Sequence, residues 1–197
     1  MKVHPLALAA FACLLASCAQ KDRIHTIRVS VADQKMVVFR KSEPIATYAV
    51  STSKFGLGDG PRSCCTPLGR LEVAKKIGKN APAGMKFKSR RPTGEIVPVD
   101  APGRDPIVTR ILWLKGLEAG NRRAYDRTIY IHGTPEERKI GSPASYGCIR
   151  MRSRDVIQLF DIVGEGAQVE ILRGPLALPT PAIVTAAATT TAQPTTR

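Results

Sequence analysis

The sequence predicts a mainly β domain with one short helix close to its C-terminal end. Short runs of β-branched and aromatic residues recur along the chain with turn residues between them, and a single segment has the apolar spacing of a helix. A content of 43% hydrophobic and 23% charged residues is typical of a folded globular domain. Because both ends of the 197-residue chain look unlike folded protein, we expect one domain between them.

The first half of the domain has the pattern of consecutive strands. Apolar Ile27, Val29 and Val31 alternate with polar neighbours, and further runs cover 36–39 and 45–50. After a glycine-rich loop, a turn at 66–69 leads into a strand at 70–75. Segment 77–106 holds glycines, prolines and six Lys or Arg residues with little periodicity, so we predict a long excursion, either a functional lid or disorder.

Regular structure is predicted to resume at 107–114, and a further strand at 127–131 ends at His132. Past Met151, Ser153 suits an N-cap, and apolar residues at helical spacing followed by Gly164 predict a short helix. A last strand is predicted at 168–172. The Ala-, Thr- and Pro-rich stretch 174–197 is predicted to be a disordered low-complexity tail.

The N-terminal segment is typical of an export signal. Lys2 precedes a mostly apolar run that ends at residue 16, shorter than the roughly 20 residues of a spanning helix. Residues 15–18, Leu-Ala-Ser-Cys, resemble the lipobox of bacterial lipoproteins. We therefore expect 1–17 to be a lipoprotein signal peptide, Cys18 to be lipidated, and 18–23 to contain this cysteine and a short linker. An ordinary cleaved signal with an incidental cysteine is the alternative.

Lipidation of Cys18 implies a protein on the periplasmic or cell-envelope face, anchored to a membrane. Ala19 favours the outer membrane in a cell that has two. The formal net charge is +14, or +13 without Lys2, and such charge attracts polyanions. Export argues against nucleic acid as the partner, so envelope polymers and anionic lipids are expected; charge that serves solubility alone is the alternative.

Three of the five cysteines remain after the signal and the lipidated residue are set aside: Cys64, Cys65 and Cys148. Three thiols cannot all pair within one chain, so at least one stays free. Cys64 and Cys65 are neighbours and are not expected to form an ordinary disulfide, and their role is not assigned. Because no paired Cys-x-x-Cys spacing is present and only two histidines remain after export, we expect no metal site. No cofactor is expected either.

Cys148 follows Gly147 on a tight turn before the predicted helix, where a thiol can act as a nucleophile. A nearby imidazolium would lower its pKa from about 8.5 and give a thiolate at neutral pH. His4 belongs to the signal and His25 precedes the first strand, so His132, 16 residues before Cys148, is the candidate base. A buried cysteine and a strand-end histidine without a catalytic role are the alternative.

Two stretches carry a family resemblance: 129–134, Ile-Tyr-Ile-His-Gly-Thr, and 145–151, Ser-Tyr-Gly-Cys-Ile-Arg-Met. Together they resemble the catalytic signature of the L,D-transpeptidase (YkuD-type) family. Blocks at 51–52, 66–69 and 110–116 also resemble that domain, and we assign 24–173 to it. The resemblance implies a YkuD-type β-sandwich or barrel-like fold, with the short helix after the catalytic cysteine.

The resemblance further implies acyl transfer on the stem tetrapeptide of peptidoglycan. Cys148 would form a thioester, D-alanine would leave with a proton from His132, and an amine acceptor would complete a 3-3 cross-link. With water as acceptor the protein would be an L,D-carboxypeptidase, and with a lysine of an envelope protein it would anchor that protein. A non-catalytic, lipid-anchored peptidoglycan-binding protein is the alternative from another class.

The remaining site residues also come from the resemblance. The carbonyl of Gly133 would orient the histidine ring, and the backbone N–H groups of Tyr146, Gly147 and the cysteine would form an oxyanion hole. Ser145 and Arg150 are candidate substrate-binding residues, with loop stabilisation and a structural salt bridge as their alternatives. The family often has histidine and asparagine where this chain has Tyr146 and Arg150.

Overall fold

The computed structural model describes residues 20–176, which form one ten-stranded mixed sheet and one α-helix. The predicted signal peptide, Cys18 and the tail from residue 177 lie outside the described residues. The elements are β1 (His25–Ser30), β2 (Lys35–Arg40), β3 (Glu43–Ala49), β4 (Gly69–Ile77), β5 (Met85–Lys88), β6 (Arg91–Ile96), β7 (Ile107–Gly116), β8 (Tyr130–Gly133), β9 (Ile149–Met151), α1 (Ser153–Ile162) and β10 (Gln168–Leu172), with short 3₁₀ turns at Ala119–Asn121 and Glu137–Lys139.

The sheet closes on itself. Its strands follow the order β3-β2-β1-β10-β4-β7, and β8 and then β9 continue from β7. Ser51, just past β3, forms a bridge with Arg150 of β9 through two backbone hydrogen bonds of 3.0 and 2.9 Å, which joins the two ends of this path. The prediction of a mainly β, barrel-like domain with a short helix after Cys148 is therefore confirmed.

The two faces of the sheet hold different residues because side chains alternate along each strand. The inner face carries the main core, to which β8 contributes Ile131, β9 contributes Ile149, and α1 contributes Leu159. Full burial of each such side chain stabilises the fold by roughly 1.5–3 kcal/mol. The neighbours Tyr130 and His132 consequently lie on the outer face of β8.

Three local predictions differ from the structure. The excursion at 77–106 contains a hairpin, β5–β6, which pairs with β7. Every residue of β6 is exposed, and Pro92 and Gly94 interrupt it, so no alternating pattern marked it in the sequence. The three residues of β9 were also missed. The N-cap of α1 is Arg152, and Ser153 is the first helical residue, with its Oγ 2.7 Å from Thr109 Oγ1.

Within residues 20–176, no helix has both the length and the apolar character needed to cross a membrane.

Candidate active site

Strand register brings Cys148 and His132 to one face of the sheet. In the parallel pair β8–β9, His132 lies opposite Arg150, and Cys148 is two residues before Arg150. The Cys148 side chain packs with Tyr130 on the outer face of the sheet, whereas the next residue, Ile149, belongs to the core on the inner face. With strands ~4.8 Å apart and a rise of ~3.3 Å per residue, the Cα atoms of Cys148 and His132 are on the order of 8 Å apart. Their side chains can therefore meet.

His132 is buried, and its ring is held by the next residue. Its Nδ1 lies 2.8 Å from the carbonyl oxygen of Gly133, the contact that the sequence predicted. Because a carbonyl can only accept, Nδ1 carries the hydrogen and the lone pair of Nε2 is free. Burial lowers the pKa of His132, although the Gly133 carbonyl and Asp105 act in the opposite direction. The ring is thus a neutral base at neutral pH.

The thiol of Cys148 is half-buried and contacts the backbone before and at the start of β8. Its sulfur accepts from the Tyr130 N–H at 3.4 Å, and its S–H donates to the Thr128 carbonyl at 3.5 Å. Burial raises the pKa of Cys148 to about 11, against the opposing effects of the Tyr130 N–H and Arg150. The expectation of a thiolate at neutral pH is therefore wrong for the resting site.

Cys148 and His132 form no hydrogen bond with each other in the part of the chain that the structure describes. The thiol instead donates its hydrogen bond to the Thr128 carbonyl. Catalytic hydrogen bonds of this kind often form only in the substrate complex. The arrangement suits a neutral thiol that loses its proton to a neutral base as attack begins.

The turn before Cys148 is fixed by glycine geometry and by Ser145. Gly147 has φ +119°, and a Cβ there would lie 3.2 Å from the carbonyl oxygen of Cys65. Ser145 is buried; its Oγ donates to the Cys148 carbonyl at 2.5 Å and accepts from the Gly147 N–H at 3.2 Å. Ser145 thus has the loop-stabilising contacts named as its alternative, and its contact with substrate stays a prediction.

Two of the three predicted oxyanion donors are open. The Gly147 N–H is engaged with Ser145, whereas the N–H groups of Tyr146 and Cys148 have no acceptor among residues 20–176. These two amides flank the glycine and can donate hydrogen bonds to a developing oxyanion. Their role stays a prediction.

The loop between β3 and β4 supports this turn from behind, which the sequence did not reveal. Thr66 Oγ1 donates to the Gly147 carbonyl at 3.0 Å. The buried guanidinium of Arg127 lies 2.7 Å from Asp59 and also donates to the Cys65 carbonyl at 2.7 Å. The sequence marks 66–69 as a turn and as part of the family resemblance, and nothing local in the sequence points to Arg127 or Asp59. Within residues 20–176, the thiols of Cys64 and Cys65 form no disulfide.

Arg150 is the centre of a buried ion cluster next to the histidine. Its Nη2 lies 2.6 Å from Asp105, and its Nη1 lies 3.3 Å from Glu136. Thr134 Oγ1 donates to the other oxygen of Asp105. The Asp105 oxygen that faces Arg150 makes no well-aligned hydrogen bond, so this contact is an ion pair. Arg150 therefore forms the structural salt bridges that were the alternative interpretation of this residue. Its contact with the substrate stays a prediction. Asp105 and Glu136 were not found from the sequence.

Three aromatic side chains, Trp113, Tyr125 and Tyr130, form a wall beside Cys148. Trp113 stacks on Tyr125 with ring centroids 4.1 Å apart and meets the edge of Tyr130 at 5.7 Å. Arg90, in the turn between β5 and β6, lies over Trp113 at 4.7 Å, with its Nη1 3.4 Å from the Tyr130 hydroxyl. The β5–β6 hairpin therefore covers these aromatic rings through Arg90. Among residues 20–176, no group of three or more His, Cys, Asp or Glu side chains is arranged to hold a metal.

Fold and site together define a mainly β domain that presents a cysteine and a histidine on the outer face of a closed sheet. Residues 24–171 match the family model described as the L,D-transpeptidase catalytic domain, YkuD. The chain belongs to this family, which confirms the resemblance seen in the sequence.

Known relatives agree with this assignment. Proteins named L,D-transpeptidase YkuD from Bacillus subtilis and Bacillus licheniformis are 32% and 51% identical over 104 and 103 residues. The match covers 52% of this chain and 58% of each relative, so the chain spans less than two thirds of their length. The crystal structure of L,D-transpeptidase 3 from Mycobacterium tuberculosis with a faropenem-derived adduct has the same fold, with a TM-score of 0.50 at 16% identity. That match covers 76% of this chain and 60% of the other.

Proposed function

We propose that the protein is a peptidoglycan L,D-transpeptidase with Cys148 as nucleophile and His132 as base. One observation carries this proposal: both side chains lie on one sheet face, and the Gly133 carbonyl holds Nδ1 so that Nε2 is free. Family membership supports the reaction class.

The first half-reaction forms a thioester. Nε2 of His132 takes the Cys148 proton as the sulfur attacks the carbonyl carbon of the third stem residue. The N–H groups of Tyr146 and Cys148 donate to the oxyanion. When the intermediate collapses, the carbon–nitrogen bond breaks, and His132 returns the proton to the amine of the leaving D-alanine.

The second half-reaction transfers the acyl group. His132 takes a proton from the acceptor amine, which attacks the thioester carbonyl, and the released sulfur regains that proton. A diamino acid of another stem gives a 3-3 cross-link. Water gives trimming by an L,D-carboxypeptidase, and a lysine of an envelope protein gives attachment of that protein.

The test is to incubate the purified protein with tetrapeptide muropeptides, with and without an amine acceptor. We expect release of D-alanine that Cys148→Ala abolishes, while the matched variants Cys64→Ala and Cys65→Ala retain it. Release that persists in Cys148→Ala would contradict the assignment. Binding to sacculi without release or thiol acylation would favour the peptidoglycan-binding alternative, and mass analysis of the products identifies the acceptor.

We also propose that the protein is exported and held on the envelope by a lipid on Cys18. The support comes from the sequence alone, because this segment lies outside the described residues. Labelled fatty acid fed to the cells should appear on the wild-type protein and not on Cys18→Ala. Separation of the membranes shows where it resides, and an unlabelled wild-type protein would contradict the proposal.

A further inference from the structure

A polar cavity of about 450 Å³ adjoins the turn that carries the nucleophile. Tyr146 and Arg150, which line it, are the residues two before and two after Cys148. Arg150 also lies opposite His132 in the β8–β9 pair, so the cavity lies close to both predicted catalytic residues. The charged residues of the cavity are Lys54, Arg104, Lys139, Arg150, Asp105 and Glu136. Its net formal charge is therefore +2.

Four of these six side chains are bound to one another. Arg150 lies between Asp105 and Glu136, at 2.6 and 3.3 Å. Lys139 lies 2.6 Å from the other oxygen of Glu136. Both carboxylates are thus already matched by cations, and this cluster is close to neutral.

The two remaining cations have no acidic partner among residues 20–176. Lys54 has its Nζ 3.3 Å from the Tyr146 hydroxyl, and Arg104, on the segment before β7, also lines the cavity. The rings of Tyr146 and Phe55 are exposed by 59% and 51% and lie 5.2 Å apart beside Lys54. The cavity therefore presents unmatched positive charge next to an exposed aromatic rim, and it suits an anionic group on a partly apolar chain.

We propose that this cavity binds a free carboxylate of the stem peptide through Lys54 and Arg104. The inference rests on the proposed function, and it adds that the enzyme selects stems by their charge. A tetrapeptide stem has three free carboxylates near the reacting carbonyl. One belongs to the terminal D-alanine and leaves with it. The candidates for the cavity are the two that stay on the acyl group, one on the second residue and one on the side chain of a dicarboxylic diamino acid at the third. Both offer the same chemistry to the cavity. Conversion of the bound carboxylate to an amide removes the charge that the two cations attract.

The test compares three synthetic tetrapeptide stems: both carboxylates free, the second-residue carboxylate amidated, and the third-residue side chain amidated. The measurement is kcat/KM for D-alanine release. For one charge-assisted hydrogen bond at a partly exposed site, we expect roughly a fivefold to tenfold loss on amidation, mostly in KM. The stem that shows the loss identifies the bound carboxylate. Higher salt should reduce the difference, because it screens exposed charges.

Two double variants complete the experiment. Lys54→Gln with Arg104→Gln should lower kcat/KM for the free stem by a similar factor and abolish the preference between free and amidated stems. Arg40→Gln with Lys41→Gln is the matched control. These exposed residues lie at the β2–β3 turn, at the opposite end of β3 from the Ser51 bridge, so the control should keep the wild-type preference.

Equal kcat/KM for all three stems in the wild type would overturn the inference. So would a double variant at Lys54 and Arg104 that loses the same factor on free and amidated stems. If the wild type releases D-alanine from none of them, the proposed reaction fails instead. Calorimetric binding of the same stems to Cys148→Ala then tests the cavity alone: tighter binding of a free stem supports the inference, and equal binding overturns it.

Discussion

Arg150→Met should destabilise the protein by about 3 kcal/mol, since removal of one partner from a buried pair costs about 3–5 kcal/mol. The Arg150 side chain is 7% exposed and contacts Asp105 at 2.6 Å and Glu136 at 3.3 Å. We use the lower end of the range because Glu136 is 14% exposed and keeps Lys139 at 2.6 Å. For a domain of this size, about 3 kcal/mol corresponds to a fall in Tm of roughly 6–12 °C.

Urea denaturation measures this change directly. Trp113 is the single tryptophan of the chain and lies in the wall beside Cys148, so its fluorescence reports unfolding of this region. Addition of Asp105→Asn to Arg150→Met should restore part of the lost stability, because the unpaired carboxylate is then neutral. Asp105→Asn alone completes the double-mutant cycle, and we expect a coupling of about 1 kcal/mol or more.

A loss of less than about 1 kcal/mol in Arg150→Met, together with a large rise in KM, would refute this reasoning. Arg150 would then act mainly on the substrate, as the sequence predicted.

Four further outcomes are expected. Because burial lowers the pKa of His132, kcat/KM should be flat through neutral pH and should fall only as the pH drops through that lowered pKa, below about 6.5, where the base becomes protonated. Alkylation of Cys148, followed by mass spectrometry, should be slow at pH 7 and rise until the pH approaches about 11. Gly147→Ala, at φ +119°, should cost about 1–3 kcal/mol of strain and lower kcat/KM, which kinetics and denaturation together will show. Arg127→Met should speed hydrogen exchange at 58–66 and reduce D-alanine release, because Asp59 and the loop carbonyls lose their common partner.

Much of the fold could be predicted because its signals are local. Alternation marked β1, and helical spacing marked α1. The apolar run before His132 marked β8, although the strand begins at Tyr130 and not at the predicted residue 127. The β5–β6 hairpin gave no such signal, since β6 buries none of its side chains and its position depends on pairing with β7. For similar reasons β9, only three residues long, depends on its neighbours β8 and Ser51.

The site residues likewise divide into those marked by a local motif and those brought together only by the fold. Cys148, His132 and Gly133 could be chosen from short motifs, and the structure places the first two on one face, with the Gly133 carbonyl 2.8 Å from Nδ1 of His132. Asp105 could not, because it meets Arg150 only through the folded chain. The protonation state of the thiol also could not be predicted, since it depends on how much protein surrounds the sulfur, which a motif does not specify.

The bridge between Ser51 and Arg150 makes the reactive centre a property of the completed ring. It joins positions nearly a hundred residues apart, and β10, the last strand of the chain, fills the place between β1 and β4. Contacts of such long range form late in folding. A chain that stops before β10 already contains every signature residue, but the place between β1 and β4 is empty and the ring is open. The ring that surrounds the β8–β9 pair is therefore complete only when the last strand is in place.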